Sequence, residues 1–285
     1  MIHVATVHWR SDRWIEPQLR ALEHFLPGPF RVYAFLSRVP GDHRGKYFYS
    51  SRELVKDHAT KLNLLGDVIS FAAEDPADLL VFIDGDAFPV APLGPLVDER
   101  LEQHRLIAVQ RRENNRDVQP HPCFCVTTVG FWREIGGDWH RGYEWPDPDG
   151  LPMTDVGANV LRALERTGVD WYPLRRVNAV NVHPLFFGLY GDDEHGPLVY
   201  HHGAGFRKSA GGRVSRRAHG EGEAKNSVRG RAVALIPKKG PLRAVRHRLN
   251  PARRVRDNLR AETRELSDEI YGQLQRDEEF WRRFV

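Results

Sequence analysis

Apolar residues along the first two thirds of the chain alternate between short continuous runs and a three- to four-residue repeat. Continuous runs favour strands, and the repeat favours helices. The runs predict strands at 3–9, 31–36, 78–84, 106–109, 124–131, 171–174 and 197–200. The repeat predicts helices at 15–25, 55–73, 92–103, 132–135 and 154–166, and one or two more within 250–284. This alternation favours an α/β fold with a mainly parallel sheet.

Three segments lack either pattern, at 41–51, 139–152 and 208–231. Their glycines, prolines and charged residues predict loops, and we expect the third loop to be mobile. That loop would separate residues 1–207 from a basic, helical C-terminal extension at 208–285.

The composition is typical of a soluble protein with one large α/β domain. The chain has 285 residues, of which 41% are hydrophobic, so a full core can be built. No apolar run approaches the roughly 18 residues that span a bilayer, and the N-terminus resembles a strand more than a signal peptide. Cys123 and Cys125 would share one strand face, at a spacing that strains a disulfide. We therefore expect two reduced core cysteines in a cytoplasmic protein.

The formal net charge of +4 is unevenly distributed along the chain. From Arg207 to Arg260, Lys and Arg are abundant and carboxylates are nearly absent. Such a local excess indicates an anionic partner, which could be a phosphorylated ligand, a lipid headgroup or a nucleic acid. Charge alone does not distinguish these partners.

The most informative motif is an apolar run that ends abruptly in carboxylates. Leu79 to Ile83 are all apolar, and Asp84, Gly85 and Asp86 follow directly. A continuous run of this kind suits a central strand covered on both faces, and ligands bind at the carboxyl ends of parallel strands. The glycine lets two carboxylates approach one cation, and hard oxygen ligands suit Mg²⁺ or Mn²⁺. Such a cation completes its coordination with substrate phosphates.

This strand with its Asp-Gly-Asp end resembles the DxD motif of glycosyltransferases with the GT-A fold. The resemblance covers residues 1–207 and implies a GT-A-like, Rossmann-like mixed sheet flanked by helices. It implies a catalytic domain at 1–207 that moves a sugar from a nucleoside-diphosphate sugar to an acceptor hydroxyl. A UDP-sugar is the favoured donor, and Mn²⁺ or Mg²⁺ is the implied cofactor.

The resemblance also implies which residues contact the donor. The first strand and the loop after it would contact the base and ribose through Thr6, Val7, His8 and Arg10. His58 and Lys61, about one turn apart on the second predicted helix, would contact the nucleotide or diphosphate. The alternative for His58 and Lys61 is a solvated helix face.

A second segment, 198–208, ends a predicted strand in two histidines. By the resemblance, His201 or His202 supplies a third metal ligand, and we expect only one of them to bind because their side chains point to opposite faces of an extended strand. The spacing to the glycine and to the basic pair, by the same resemblance, favours His201. Gly203 would allow close approach to phosphate. Arg207 and Lys208 would neutralise the leaving group. The alternative is a structural histidine pair in a turn.

Asp155 is the candidate catalytic base. We expect Thr154 to cap the helix at 154–166, Asp155 to lie in its first turn and Gly168 to end it. In inverting GT-A enzymes a carboxylate at this place activates the acceptor, so the resemblance implies the same role here. The alternative is an aspartate that only stabilises the helix dipole. Whether the reaction inverts or retains the anomeric configuration stays open.

Three other functions compete with sugar transfer. A nucleotidyltransferase of related fold usually has glycines after its first strand, and residues 8–12 contain none. A nucleic-acid-binding protein could use the basic region, but no aromatics are interleaved there, so this partner is disfavoured. Peripheral attachment of the basic tail to an anionic membrane is compatible with sugar transfer.

Overall fold

The apolar runs form one mixed sheet between two layers of helices. A computed structural model describes residues 1–114, 116–147, 150–203, 221–237, 239–240 and 242–285. The strands are β1 (Ile2–Trp9), β2 (Phe30–Ser37), β3 (Tyr49–Ser51), β4 (Leu79–Asp84), β5 (Ala87–Pro89), β6 (Leu106–Val109), β7 (His121–Thr128), β8 (Trp145–Pro146), β9 (Pro152–Met153), β10 (Tyr172–Arg176), β11 (Gly188–Asp192) and β12 (Gly196–His201).

Helices precede or follow most of these strands. They are α1 (Ile15–Phe25), α2 (His58–Ala72), α3 (Gly94–His104), α4 (Val129–Ile135), α5 (Ala158–Thr167), α6 (Glu221–Asn226), α7 (Val228–Ala234), α8 (Arg243–Leu249) and α9 (Pro251–Leu274). Short 3₁₀ helices span Arg44–Lys46 and Phe280–Phe284. In the described part of the chain, no helix combines the length and the apolar character needed to cross a membrane.

The main sheet has the strand order β3-β2-β1-β4-β7-β6-β10-β11-β12-β5 among the described residues. Strands β1, β2, β3, β4, β6, β10 and β12 run in one direction, and β5, β7 and β11 run in the other. The predicted α/β architecture, a mixed and mainly parallel sheet flanked by helices, is confirmed.

Strand β4 lies in the middle of this architecture because both of its faces are apolar. Val81 and Ile83 pack into one core cluster with residues of α1 and α3. Leu80 and Phe82 point the other way and pack with residues of α2, α4 and α5. Alternate residues of a strand face opposite sides of a sheet, so a continuous apolar run must be covered twice.

The C-terminal residues belong to a third core cluster at the β12–β5 edge of the sheet. Phe280 and Phe284 are buried there with Phe88 and Tyr200. The backbone N–H groups of Ala179 and of the next residue donate to the carbonyl of Phe284, at 2.9 and 3.1 Å. The end of the chain therefore packs directly on the sheet that carries the Asp-Gly-Asp motif.

Several predicted boundaries are wrong. The predicted loop at 41–51 contains β3 and a 3₁₀ turn, which are too short to give a periodic signal. The helix predicted from residue 55 begins at His58, because the Asp57 side chain accepts a 2.8 Å hydrogen bond from the Thr60 N–H and caps it. The strand predicted at 124–131 is β7, and its last predicted residues belong to α4.

Two predicted loops also differ from the structure. The loop at 139–152 begins in the core, where the Trp139 ring is fully buried at 5.1 Å from the ring of Phe82. The loop at 208–231 contains α6 and part of α7 in its described portion. Its residues 208–220 lie outside the described residues.

We predict that Phe284→Ala lowers the free energy of unfolding by ~3–4 kcal/mol, because a fully buried aromatic ring would leave a cavity. Urea denaturation measures this change. The neighbouring Val285 is 59% exposed, so Val285→Ala is the control and should change stability by less than ~0.5 kcal/mol. Equal, small effects of both substitutions would show that the C-terminus does not pack on the sheet.

Candidate metal centre and nucleotide pocket

A cavity of about 390 Å³ opens at the carboxyl ends of β1, β4 and β12. Pockets of this size suit small organic ligands. Its lining combines both carboxylates of the Asp-Gly-Asp motif with histidines, basic side chains and two tryptophans. The polar and aromatic lining residues are His8, Trp9, Ser11, Trp14, Lys56, Asp57, His58, Lys61, Asp84, Asp86, Arg111, Asn114, His121, Arg141, Asp155, Phe186 and His201.

Asp84, Asp86 and His201 converge at the base of this cavity. His201 Nε2 lies 3.5 Å from Asp84 Oδ2 and 3.5 Å from Asp86 Oδ1. One ligand atom from each residue lies within 4.8 Å of the other two. Adjacent ligands of an octahedral ion bound at about 2.1 Å are about 3 Å apart, so the three groups need to move little to share one cation. Two carboxylates and an imidazole suit Mn²⁺ or Mg²⁺.

Strand pairing brings His201 to the carboxylates from far along the sequence. β12 pairs with β5 so that His201 lies opposite Ala87. The backbone N–H of His202 donates to the Asp86 carbonyl at 2.9 Å. Because β5 begins directly after the Asp-Gly-Asp turn, this pairing fixes the end of β12 against that turn.

The side chain of Gln18 in α1 hydrogen-bonds to the backbone of the same turn. Its side-chain N–H₂ donates to the carbonyls of Asp84 and Ala87, at 2.8 and 2.7 Å, and its Oε1 accepts from the Thr6 hydroxyl at 3.0 Å. Gly85 lies so close to β1 that a Cβ there would be 2.5 Å from the Val7 carbonyl oxygen. The turn therefore requires glycine at its centre for space, and a buried amide for its carbonyls.

The neighbouring histidines keep both carboxyls ionised. Burial by itself would raise the pKa of Asp84, but the imidazoles of His58 and His201 outweigh it and hold that pKa well below its usual range. Burial also opposes ionisation of Asp86, and His201 again lowers the pKa below its ordinary value. Two negative charges therefore face the cavity at neutral pH.

His58 contacts the motif directly. Its Nε2 donates to Asp84 Oδ1 at 2.9 Å, and its ring is partly exposed to the cavity. His58 lies in the first turn of α2, and its side chain projects toward the end of β4. The structure therefore places His58 beside a candidate metal ligand, where it also lines the pocket.

His202 does not reach the carboxylates. Its Nδ1 shares a 2.8 Å hydrogen bond with the Tyr200 hydroxyl, and its Nε2 shares one of 2.7 Å with the Ser267 hydroxyl of α9. Burial lowers the pKa of His202 to about 3, so the ring is neutral. The prediction that included His202 among metal ligands needs this correction, because successive strand residues point to opposite faces.

Only part of the predicted β1 set faces the cavity. Val7 and His8 line it, and burial lowers the pKa of His8 to about 4. Thr6 is buried beneath the turn on Gln18, so it does not face a ligand. Arg10 has a left-handed backbone with φ of 61°, and its guanidinium lies 5.3 Å from the Trp9 ring, outside the lining.

Lys61 lies almost entirely buried at the cavity wall. Its exposed fraction is 2%, and its Nζ is 4.2 Å from the centre of the Trp9 ring. Burial lowers the pKa of Lys61 to about 8, although the negative charge of Asp57 partly opposes this shift. The ammonium and the indole together form a charged, flat wall next to the carboxylates.

Asp155 lines the cavity but does not lie in a helix. The helix predicted from residue 154 begins at Ala158, and Gly157 with φ of 91° caps it. A Cβ at Gly157 would be 1.9 Å from the Pro120 carbonyl oxygen, so this position requires glycine. Asp155 Oδ1 accepts from Arg141 at 3.0 Å and from the Val156 N–H at 2.9 Å. The prediction that Asp155 lies in the first turn of a helix is therefore wrong.

Arg111 and His121 complete the polar lining, and neither was among the candidate site residues that were assigned a role from the sequence. Arg111 is buried and donates to the Leu185 carbonyl at 3.1 Å. The ring centre of His121 is 6.3 Å from that of His201, and burial with the charge of Arg111 keeps the pKa of His121 well below its usual value. His121 starts β7, which is antiparallel to β4, so its position at this edge follows only from the strand order.

Gly203 lies at the cavity rim with a left-handed backbone, φ 69°. It directly follows the histidine pair, as expected for a backbone that approaches a ligand closely. The other two predicted phosphate-binding residues, Arg207 and Lys208, lie outside the described residues.

Comparison with known proteins adds little to this geometry. The sequence matches no protein-family model and no curated protein. Among solved structures, it is similar to the mannosyltransferase PcManGT from Pyrobaculum calidifontis in complex with GDP-Man and Mn²⁺, with 12% identity and a TM-score of 0.38. That match covers 93% of this chain and 73% of the other.

Two other solved structures match a smaller part of the chain. The glycosyltransferase GlyE of Streptococcus pneumoniae shares 10% identity with a TM-score of 0.37, and covers 61% of this chain and 46% of its own. A protein described as a glucose-1-phosphate thymidylyltransferase of Bacillus anthracis shares 11% identity with a TM-score of 0.35, over 61% and 87%. Likenesses at such low identity and TM-score do not assign a function to this chain.

We predict that Gln18→Leu lowers the free energy of unfolding by ~2–3 kcal/mol, since two carbonyls lose a buried donor. The affinity for Mn²⁺ should also fall, because the turn between Asp84 and Asp86 loses its support. Urea denaturation and calorimetric titration with Mn²⁺ measure the two effects. Thr6→Val is the control, since it removes only the bond to Gln18 Oε1. A Gln18→Leu protein that bound Mn²⁺ as tightly as Thr6→Val would contradict this role.

Proposed function

We propose that this chain is a metal-dependent glycosyltransferase that moves a sugar from a nucleoside-diphosphate sugar to an acceptor hydroxyl. A UDP-sugar is the preferred donor in this proposal. The observation that supports it is the convergence of Asp84, Asp86 and His201 at the base of a cavity of about 390 Å³. A cation bound by two carboxylates and one imidazole still needs ligands, and phosphate oxygens are its common partners.

Asp84, Asp86 and His201 would hold Mn²⁺ or Mg²⁺, which would neutralise charge on the departing diphosphate. Lys61 would contact the same phosphates, since its ammonium is buried in the wall beside them. His58 orients Asp84 through its hydrogen bond. The bound cation, the Lys61 ammonium and the orientation of Asp84 by His58 would together stabilise the charge that develops as the bond from sugar to phosphate breaks.

The rest of the lining would position the two substrates. Val7, His8 and Trp9 form the wall for the base and ribose, and Gly203 lets the backbone approach the phosphates. In an inverting reaction Asp155 would take the proton of the acceptor hydroxyl as its oxygen bonds to the anomeric carbon. The nucleoside diphosphate leaves with the electrons of the broken bond. Arg141 holds the Asp155 carboxylate in place through its 3.0 Å ion pair.

In this proposal residues 1–207 carry the chemistry, and 208–285 form an extension. The extension still supports the site, because Ser267 of α9 fixes the ring of His202 next to the metal ligand. A cytoplasmic location is the remaining part of the proposal. It fits Cys123 and Cys125, which are both buried and free.

The test is a panel of nucleoside diphosphates with and without Mn²⁺. We expect one nucleotide with Mn²⁺ to raise the melting temperature by about 5 °C, and neither alone to do so. Asp86→Asn should abolish this shift, because a cavity without the second carboxylate holds the cation poorly. Asp98→Asn, at an exposed carboxylate of α3, is the control and should keep it.

The reaction products distinguish sugar transfer from nucleotidyl transfer. A glycosyltransferase releases a nucleoside diphosphate from its donor, whereas a nucleotidyltransferase releases pyrophosphate from a nucleoside triphosphate and a sugar phosphate. Release of pyrophosphate, or a nucleotide shift that persists in Asp86→Asn, would contradict the proposal.

We predict that UDP affinity in the presence of Mg²⁺ falls as pH rises above about 8, where free Lys61 loses its proton. A bound diphosphate raises the pKa of that ammonium, so binding above this pH requires proton uptake and weakens by up to about tenfold per pH unit. Calorimetric titration across pH measures the slope. The arginine of Lys61→Arg stays charged, so the affinity of that variant for UDP should not show this dependence on pH. Ionisation of the uracil base of UDP affects both proteins equally. If the affinity for UDP depends on pH identically in both proteins, Lys61 does not contact the phosphates.

A further inference from the structure

Exposed aliphatic side chains concentrate on two short helices of the extension. On α7, Val228 is 79% exposed, and Leu235 just after the helix is 86% exposed. These residues are seven positions apart and therefore share one helix face. Gly230 and Val233 are buried on the other side of α7. In a typical surface helix the outward face is polar, whereas the outward face of α7 carries large aliphatic groups.

The next helix repeats this arrangement. Leu242, directly before α8, and Val245 and Leu249 within it are all exposed. Their spacing of three and seven residues again defines a single face. Arg246 donates to the Ala234 carbonyl at 3.1 Å and also to the carbonyl of Ile236, so it ties α8 to the end of α7. Two outward apolar faces are therefore held side by side.

The segment that carries these aliphatic groups is strongly basic in sequence. Residues 228–250 contain seven Lys or Arg and no Asp or Glu. Arg229 and Arg248, together with Arg254 at the start of α9, line a cleft of about 680 Å³ where α7 and α8 meet α9, and the one acidic side chain in its described lining is Asp257. Guanidinium groups around a cleft of this kind suit phosphate groups.

We propose that α7, α8 and the segment between them, residues 228–250, form a docking surface for a bilayer that contains anionic phospholipids. The apolar faces would enter the acyl boundary, while the arginines contact the phosphates of the headgroups. A soluble phosphate would explain the arginines but not five exposed aliphatic side chains. A single-stranded nucleic acid would call for aromatic platforms, and residues 228–250 contain no Phe, Tyr or Trp.

This surface differs from attachment by charge alone. Binding by charge collapses as salt screens it, whereas inserted aliphatic groups keep part of the affinity. The docking surface does not depend on the proposed sugar transfer, because none of its described residues lines the metal cavity. The two proposals can therefore fail separately.

The test uses the full chain without nucleotide and measures sedimentation with phosphatidylcholine vesicles, with or without phosphatidylglycerol. We expect binding only with phosphatidylglycerol, and a residual fraction that survives high salt. The double substitution Leu235→Ser and Leu242→Ser should lower the partition coefficient at least about tenfold. Phe71→Ser is the matched control, since Phe71 is 94% exposed on α2, outside this surface.

Three outcomes would overturn the docking surface. The first is equal vesicle binding by the double variant and by Phe71→Ser, and the second is no sedimentation with either vesicle. The third is a dimer in size-exclusion chromatography that the double variant dissolves, since the faces would then bind a second copy of the chain. Thermal melting of each variant without added ligand checks that it is folded.

Discussion

Two carboxylates within reach of one imidazole at the buried end of a strand impose the main constraint on this molecule. Asp84 and Asp86 repel each other and lose hydration, so they stay charged only because histidines surround them. His58 satisfies one oxygen, and His201 lies between the two side chains. Cation binding would replace this internal compensation with a stronger one. The polar lining of the cavity follows from that need.

Residues far apart in the described part of the chain support this site. Gln18 of α1 holds the carbonyls of the turn, and β5 pairs with β12 to bring His201 into place. Behind His201, the buried ring of His202 is fixed by Ser267, and the Trp14 ring lies 4.3 Å from it. The C-terminal helix α9 thus stabilises the strand that carries a candidate metal ligand. The extension is therefore linked to the site even though it does not line the cavity.

Sequence patterns predicted the elements whose signals are long and local. Strand β4 and its carboxylates were predictable because a continuous apolar run ends directly in the motif. Strands β3 and β5 were missed because three residues carry no period. The predicted start of α5 was too early because Thr154 and Asp155 resemble a helix cap. The actual cap is Gly157, which lies close to the Pro120 carbonyl.

The contribution of Arg111 and His121 depends on strand order and not on local spacing. His121 reaches the cavity only because β7 runs antiparallel to β4, which places its first residue at the carboxyl end of its neighbour. The position of Thr6 has a similar explanation. Alternate residues of β1 face opposite sides of the sheet, so the Thr6 side chain packs on Gln18 and does not face the cavity. Local pattern therefore predicts which edge of the sheet carries the polar cavity, but the full lining requires the topology.

The most direct measurement is anomalous diffraction from a crystal soaked with MnCl₂ and UDP. The account predicts a manganese peak about 2.2 Å from one oxygen each of Asp84 and Asp86 and from His201 Nε2, with diphosphate oxygens completing the shell. A peak elsewhere, or density for UDP with no manganese between these three side chains, would contradict it.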